Sequence, residues 1–217
     1  MGRVSLWLSR LLFARSPRPY DVHRELWRAF PGHTQRPFLF RADGAEGRRL
    51  RVLVQSFVVP EWTRLAGALE EASGPNAFAP AMIPGARFRF FLRANPTRSR
   101  KDRGEPKVAA LEGAAFRAAR GVRRPILAET ERVEWLKRQG DSAGFALAAR
   151  EDGTPILRLA PPFSVEWRNG GPPARHDGVD FEGVLRVDDP AAFARALANG
   201  IGSAKAFGFG LLSVGAL

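Results

Sequence analysis

The sequence predicts an α+β protein of two tandem ferredoxin-like (βαββαβ) domains. Three observations point there. The 217 residues fit one large domain or two small ones. Short alternating segments and short helical stripes follow one another as strand, helix, strand, strand, helix, strand, and then do so again. Hydrophobic residues make up 45% and charged residues 26%, enough apolar surface to build cores and too much for wholesale disorder.

The elements follow in order. Val4–Phe13 alternates, with Val4, Leu6 and Leu8 on one face and Ser5, Trp7 and Ser9 on the other, which predicts a strand. Pro17 and Pro19 break the chain, and Asp21 is placed to cap a helix from Val22 to Phe30. Val22, Leu26, Ala29 and Phe30 form its apolar stripe, and Pro31-Gly32 ends it. Pro37–Arg41 and Arg51–Phe57 read as strands joined by the polar turn Asp43–Arg49. Glu61–Ala72 reads as a second helix and Ala77–Ile83 as a short closing strand.

The second pass opens with Arg87–Ala94, where Phe88, Phe90 and Leu92 alternate with Arg87, Arg89 and Arg93, a strand with one apolar and one positive face. Asn95–Pro106 is a basic loop, and Ala109–Pro125 an Ala/Arg-rich insertion. Glu129–Arg138 reads as a helix stopped at Gly140. Gly144–Ala149 and Ile156–Leu159 read as short strands, Val165–Arg168 opens a hairpin around Asn169-Gly170-Gly171, and Phe181–Val187 is a strand. Asp189 caps a helix that starts with Pro190 and ends at Gly200, and Phe207–Val214 closes the sheet. The expected division is 1–84 and 85–217.

Composition narrows the function. There is no cysteine, so disulfides, thiolate metal sites and a cysteine nucleophile are excluded. His23, His33 and His176 lack metal-ligand spacing, and no P-loop is present. No apolar run reaches the length of a membrane span, and Arg10 interrupts the apolar start. A soluble, cytoplasmic protein without metal or cofactor is expected. The 34 Lys and Arg against 22 Asp and Glu give a formal charge of +12. Between Arg87 and Lys107, eight cations stand against Asp102 and Glu105. Such clustering favours a polyanionic partner such as nucleic acid. An arginine-rich composition alone would give the same total without the clustering.

Tyr20 and His23 lie three residues apart at the start of the first helix, a spacing that places both on one face. A tyrosine packed on a helix end beside a solvated histidine has the same spacing. The chemical reading is general acid–base work: the positive end of a helix keeps imidazole neutral and attracts phosphate. RNA carries its own nucleophile in the 2′-hydroxyl. Arg28, five residues beyond His23, is placed to stabilise charge developing on phosphorus. The run Gly200–Gly210, with Lys205 at its middle, is either a phosphate-approaching loop or a turn that lets two sheets pack.

Four segments together resemble one family. They are PYDVHRELWRAFP ending at Pro31, VLVQS at Val52–Ser56, FRFFLRANPT at Phe88–Thr97 and GIGSAKAFGFGLL at Gly200–Leu212. In this order they resemble the CasE family, the CRISPR RNA endoribonucleases of type I-E Cascade. The resemblance implies two ferredoxin-like domains and metal-independent cutting of precursor CRISPR RNA at the base of the repeat hairpin. It implies a 2′,3′-cyclic phosphate product, and retention on the crRNA 3′ hairpin beside other Cascade subunits. The catalytic residues it implies are His23, Tyr20 and Arg28. The basic segment Arg93–Lys107 and the hairpin near Arg158–Arg175 become RNA-gripping surfaces. The residues assigned to RNA contact are Arg24, Arg93, Asn95, Arg98, Arg100, Lys101, Arg158, Arg168, Arg175, Gly200, Gly202 and Lys205. The rival reading is a hairpin-binding protein without catalysis, against which the absence of the RRM stacking motif counts.

Overall fold

The computed structural model describes residues 6–99, 123–167 and 174–217. Residues 109–122 of the expected insertion Ala109–Pro125, together with Arg100, Lys101 and Arg168, lie outside the described residues, and the insertion's last three residues form a short strand. The first half holds β1 (Leu6–Phe13), α1 (Pro19–Trp27), β2 (Phe38–Glu46), β3 (Arg49–Ser56) and β4 (Leu69–Phe78). Its sheet order is β2-β3-β1-β4, antiparallel throughout. The second half holds β5 (Arg87–Ala94), β6 (Thr97–Ser99), β7 (Arg123–Pro125), α2 (Glu129–Ala143), β8 (Phe145–Leu147) and β9 (Leu157–Leu159). It ends with β10 (Phe163–Trp167), β11 (Ala174–Val187), α3 (Pro190–Asn199) and β12 (Leu212–Gly215).

In the second sheet β5 lies between β11 and β12, while β8, β9 and β10 pair with successive stretches of β11. With β8 and β9 taken as the second strand, the order repeats that of the first half. The α+β reading with two ferredoxin-like units therefore holds.

Each half has its own core. Val22, Leu26, Ala29 and Phe30 are buried against Phe38, Phe40, Val52, Val54 and Trp62. Each such large side chain contributes about 1.5–3 kcal/mol when buried. The second core gathers Phe90, Leu92, Leu136, Phe181, Leu185, Phe193 and Leu212. Leu6 of β1 belongs to this second core, whereas Leu11 and Phe13 of the same strand belong to the first. Alternation along β1 turns Leu6 to one face and Leu11 and Phe13 to the other, so one strand serves both.

Several local expectations are corrected. Glu61–Ala72 is not a helix: a single 3₁₀ turn, Trp62–Leu65, precedes β4. Leu69, Glu70, Glu71 and Ala72 have helical propensity, but pairing with β1 overrides it. The closing strand is accordingly Leu69–Phe78 and not Ala77–Ile83. Asp21 is not the cap of α1. The helix begins at Pro19, and Asp21 sits in the first turn, where it accepts from Arg18 Nε at 2.8 Å. After Trp27 the helix tightens into 3₁₀ bonds that carry it to Phe30. Helix α2 continues through Gly140 to Ala143. A Cβ at Gly140 would meet Phe145 O at 2.6 Å, so this glycine permits close packing and does not stop the helix. Asp189 caps α3 as expected, accepting from Ala191 N at 2.8 Å and Ala192 N at 3.0 Å.

Candidate active site

Pro19 at the first turn of α1 fixes where Tyr20 and His23 point. Their ring centroids lie 5.9 Å apart, so the two residues that the sequence paired do meet. Tyr20 also packs against Trp167 of β10 at 4.6 Å and against Phe207 at 5.5 Å. Phe207 ends the 3₁₀ turn Lys205–Phe207 of the glycine-rich run. The site thus forms where α1 of the first half meets β10 and the glycine-rich run of the second.

His23 is enclosed by Phe38 at 5.5 Å, Phe40 at 6.3 Å and Trp27 at 6.2 Å. Trp27 Nε1 donates to His23 Nε2 at 3.1 Å. Burial, aided by the Arg36 guanidinium, lowers the imidazole pKa to about 4. The ring is therefore neutral near pH 7 and able to accept a proton.

Arg36 is the residue that sequence reasoning missed. Burial lowers its pKa, and its charge combines with burial to lower that of Lys205. His23, Arg36 and Lys205 thus come from three separate segments into one basic cluster. Among the described residues three buried side-chain polar atoms lack a hydrogen-bond partner: His23 Nδ1, Arg36 Nε and Asn95 Oδ1. Unpaired buried polar atoms are rare in folded proteins, and two of these three lie in the cluster. An anion placed among them would meet converging donors. The only sequence signal for Arg36 is a basic residue just before the Pro37–Arg41 strand.

The other assigned residues divide by environment. Arg28 is exposed at the C-terminal end of α1 and holds Glu25 at 2.7 Å. Arg24 is exposed on the same helix. Arg98, Arg158 and Arg175 are exposed and paired with Glu131, Glu182 and Asp177. Such pairs are worth under about 1 kcal/mol and yield readily to phosphate.

Arg93 departs from the expected open positive face. It clamps Asp180 through Nε and Nη2, both at 2.7 Å, and donates from Nη1 to Ala42 O at 2.5 Å. Two of its donors hold its cross-strand neighbour Asp180 in the same sheet, and Nη1 reaches the other sheet at Ala42 O. Asn95 is buried, at 4% exposure, and not part of an open loop. Gly200 ends α3 with φ 73, and a Cβ there would meet Gly210 O at 2.6 Å and Leu39 Cδ1 at 2.9 Å. Gly202 has φ 78 and packs on the Trp135 ring. Gly200 thereby lets the run approach Leu39 of the first half, Gly202 lets it pack on the helix of its own half, and the run offers Lys205 as its charged group.

A cavity of about 610 Å³ on the second sheet, lined in part by Arg89, Arg158 and Glu182, shares no residue with this cluster. The chemistry of the basic cluster, not cavity size, marks the site. Among the described residues no group of three or more His, Cys, Asp or Glu could hold a metal ion, and no helix is long and apolar enough to cross a membrane.

Residues 6–215 match the family described as CRISPR associated protein. The chain is 32% identical over 226 residues to the CRISPR-associated endoribonuclease Cse3 of Thermus thermophilus, covering 96% of this chain and 99% of that protein. It is 32% identical over 219 residues to the CRISPR system Cascade subunit CasE of Escherichia coli K12, covering 98% and 100%. The structure of Thermus thermophilus Cse3 bound to an RNA representing a pre-cleavage complex superposes with a TM-score of 0.78 at 31% identity, covering 97% of this chain and 99% of that one. With matches that run nearly end to end in sequence and in structure, the chain belongs to the CRISPR-associated protein family of Cse3 and CasE.

Proposed function

We propose that this protein is an endoribonuclease that cuts precursor CRISPR RNA within the repeat, at the base of a hairpin. It then stays on the crRNA 3′ hairpin as a subunit of a Cascade-type complex in the cytoplasm. The observation that carries this reading is the Tyr20–His23 pair, 5.9 Å between rings, with its neutral imidazole beside Arg36.

The chemistry follows from those groups. The ribose 2′-oxygen attacks the adjacent phosphorus, and a 2′-O–P bond forms as the P–5′-O bond breaks. His23 takes up the 2′-hydroxyl proton, and a proton is returned to the departing 5′-oxygen, so the step balances. Tyr20 positions the ribose. Arg28, Arg36 and Lys205 face the charge that grows on the phosphoryl oxygens. Arg28 reaches it by leaving its exposed pair with Glu25, at little cost. The products are a 2′,3′-cyclic phosphate and a 5′-hydroxyl, and no metal takes part.

Arg24, Arg98, Arg158 and Arg175 contact the RNA backbone; the same role is assigned from sequence to Arg100, Lys101 and Arg168, which lie outside the described residues. Arg93 is reassigned to joining the halves. The division into 1–84 and 85–217 is supported by the two cores and by the gap between β4 and β5.

The test is incubation with the host's repeat RNA, with and without chelator, followed by end-group analysis. A cyclic phosphate formed equally under both conditions supports the reading. No cleavage, or cleavage lost with chelator, contradicts it.

A further inference from the structure

The cleavage step returns a proton to the departing 5′-oxygen, and the groups at the site limit what can supply it. His23 is neutral and takes a proton up, so it is not the donor in the same step. Arg28 and Arg36 carry guanidinium groups, which do not give up a proton in proteins. Among the described residues no carboxylate bears on His23, Arg36 or Lys205. A phenol and an ammonium remain, on Tyr20 and Lys205. Tyr20 is enclosed by the rings of Trp167, Phe207 and His23. The ammonium of Lys205 is half-buried and makes no hydrogen bond or ion pair among the described residues. A cation that has left bulk water without a partner favours an incoming oxygen. Burial and the charge of Arg36 also hold its pKa below the ordinary lysine range, which makes it a readier proton donor.

The fold holds Lys205 at this site. Helix α1 packs against the turn Lys205–Phe207. Ala204, just before that turn, has φ 58 and is the only non-glycine residue in the left-handed region among the described residues. Such a conformation persists only where the surroundings hold it. They do so at the far end of the turn. Phe207 lies 5.5 Å from the Tyr20 ring. A Cβ on Gly208 would meet Phe40 Cε2 at 3.2 Å, and Phe40 in turn lies 6.3 Å from the His23 ring. The Lys205 stem runs over Gly210, where a Cβ would meet its Cγ at 3.2 Å and its Cε at 3.4 Å. The turn is thus pinned to Tyr20 and to the wall around His23, and a bare glycine leaves the lysine stem its path.

We infer that Lys205 is the general acid of the cleavage step, passing a proton from Nζ to the 5′-oxygen as it leaves phosphorus. The 2′-O–P bond forms and the P–5′-O bond breaks. His23 becomes imidazolium and Lys205 a neutral amine, and exchange with water restores both. The base then comes from α1 of the first half and the acid from the glycine-rich run of the second. Donor and acceptor on separate elements suit a displacement whose entering and leaving oxygens lie in line on opposite sides of phosphorus. This inference rests on the reading of the protein as a repeat-RNA endoribonuclease and names the proton donor that the reading leaves open.

The test compares single-turnover cleavage of two repeat RNAs, one unmodified and one with sulfur in place of the bridging 5′-oxygen at the cut. A thiolate leaves without being protonated, so the second RNA needs no general acid. Lys205→Met keeps an unbranched stem over Gly210, and Lys205→Arg keeps the charge but has no proton to give. Both variants should cut the unmodified RNA at least about a hundredfold more slowly than wild type, and the sulfur RNA within about threefold of the wild-type rate. His23→Ala and Tyr20→Phe should stay slow on both. A lysine that only holds the turn or adds charge would not give this pattern. The inference is overturned if Lys205→Arg cuts unmodified RNA at the wild-type rate. It is overturned equally if sulfur rescues His23→Ala or Tyr20→Phe in place of the lysine variants. Wild type cutting both RNAs while the lysine variants stay slow on both would overturn this role alone. Wild type cutting neither would overturn the function itself.

Discussion

Trp27 donates its indole N–H to Nε2 of His23 at 3.1 Å, one helical turn along α1. In a neutral ring this occupies the basic nitrogen and leaves the proton on Nδ1. The bond favours the uncharged ring, in the same direction as burial and the charge of Arg36. For Nε2 to take a proton from a ribose, Trp27 must give way. Trp27 is accordingly a positioning residue. Trp27→Phe should raise the His23 pKa from about 4 toward the ordinary 6.5, read by NMR titration of the ring. The acid limb of the single-turnover rate should move up with it. An unmoved titration would remove Trp27 from this role.

Stability should fall in acid for a specific reason. The folded-state pKa of His23 is depressed, to about 4 from 6.5. The unfolded chain therefore binds more protons than the folded one between those values. Stability is full above pH 6.5 and declines as pH drops toward 4. At about 1.4 kcal/mol per unit the ceiling is roughly 3 kcal/mol, and solvent access to the ring lowers it. His176, also depressed by burial, acts with the same sign. Urea denaturation at pH 7 and pH 4.5 should show a smaller difference for His23→Ala than for wild type.

Arg36 and Arg28 should separate by experiment. Arg36 is held by burial beside the imidazole, and Arg28 is exposed on a weak pair. Arg36→Met should slow cleavage by about 10²–10³ and also raise the His23 pKa, because a nearby positive charge is gone. Arg28→Ala should slow cleavage without moving that pKa. Single-turnover kinetics with ring titration distinguishes the two.

Gln55 offers a test of how the halves are joined. From β3 it donates Nε2 to Leu197 O of α3 at 2.6 Å. It thereby satisfies one of the final carbonyls that a helix leaves open. Gln55→Leu should cost about 1–2 kcal/mol in thermal or urea unfolding. An unchanged midpoint would mean that this contact across the halves does not hold them together.

These cross-half contacts also explain what sequence could and could not reveal. Strand β5 and helix α3 were legible because their residues encode them locally, by strict alternation and by an Asp-Pro start. The Tyr20–His23 pair was legible because both lie on one short helix. Strand β4 was not: it is a largely exposed edge with no apolar alternation, defined only by pairing with β1. Arg36 was hidden for a related reason. Its meaning comes from lying near His23 and Lys205, which are distant in the chain. Arg93 looked free because Asp180, its partner, is 87 residues away.

The most direct measurement is single-turnover cleavage of the host repeat RNA by His23→Ala, with affinity for the uncleaved hairpin measured in parallel. Loss of at least about a hundredfold in rate with affinity nearly unchanged is the predicted result. Cleavage at the wild-type rate would contradict the account, since no proton would then be passing through that imidazole.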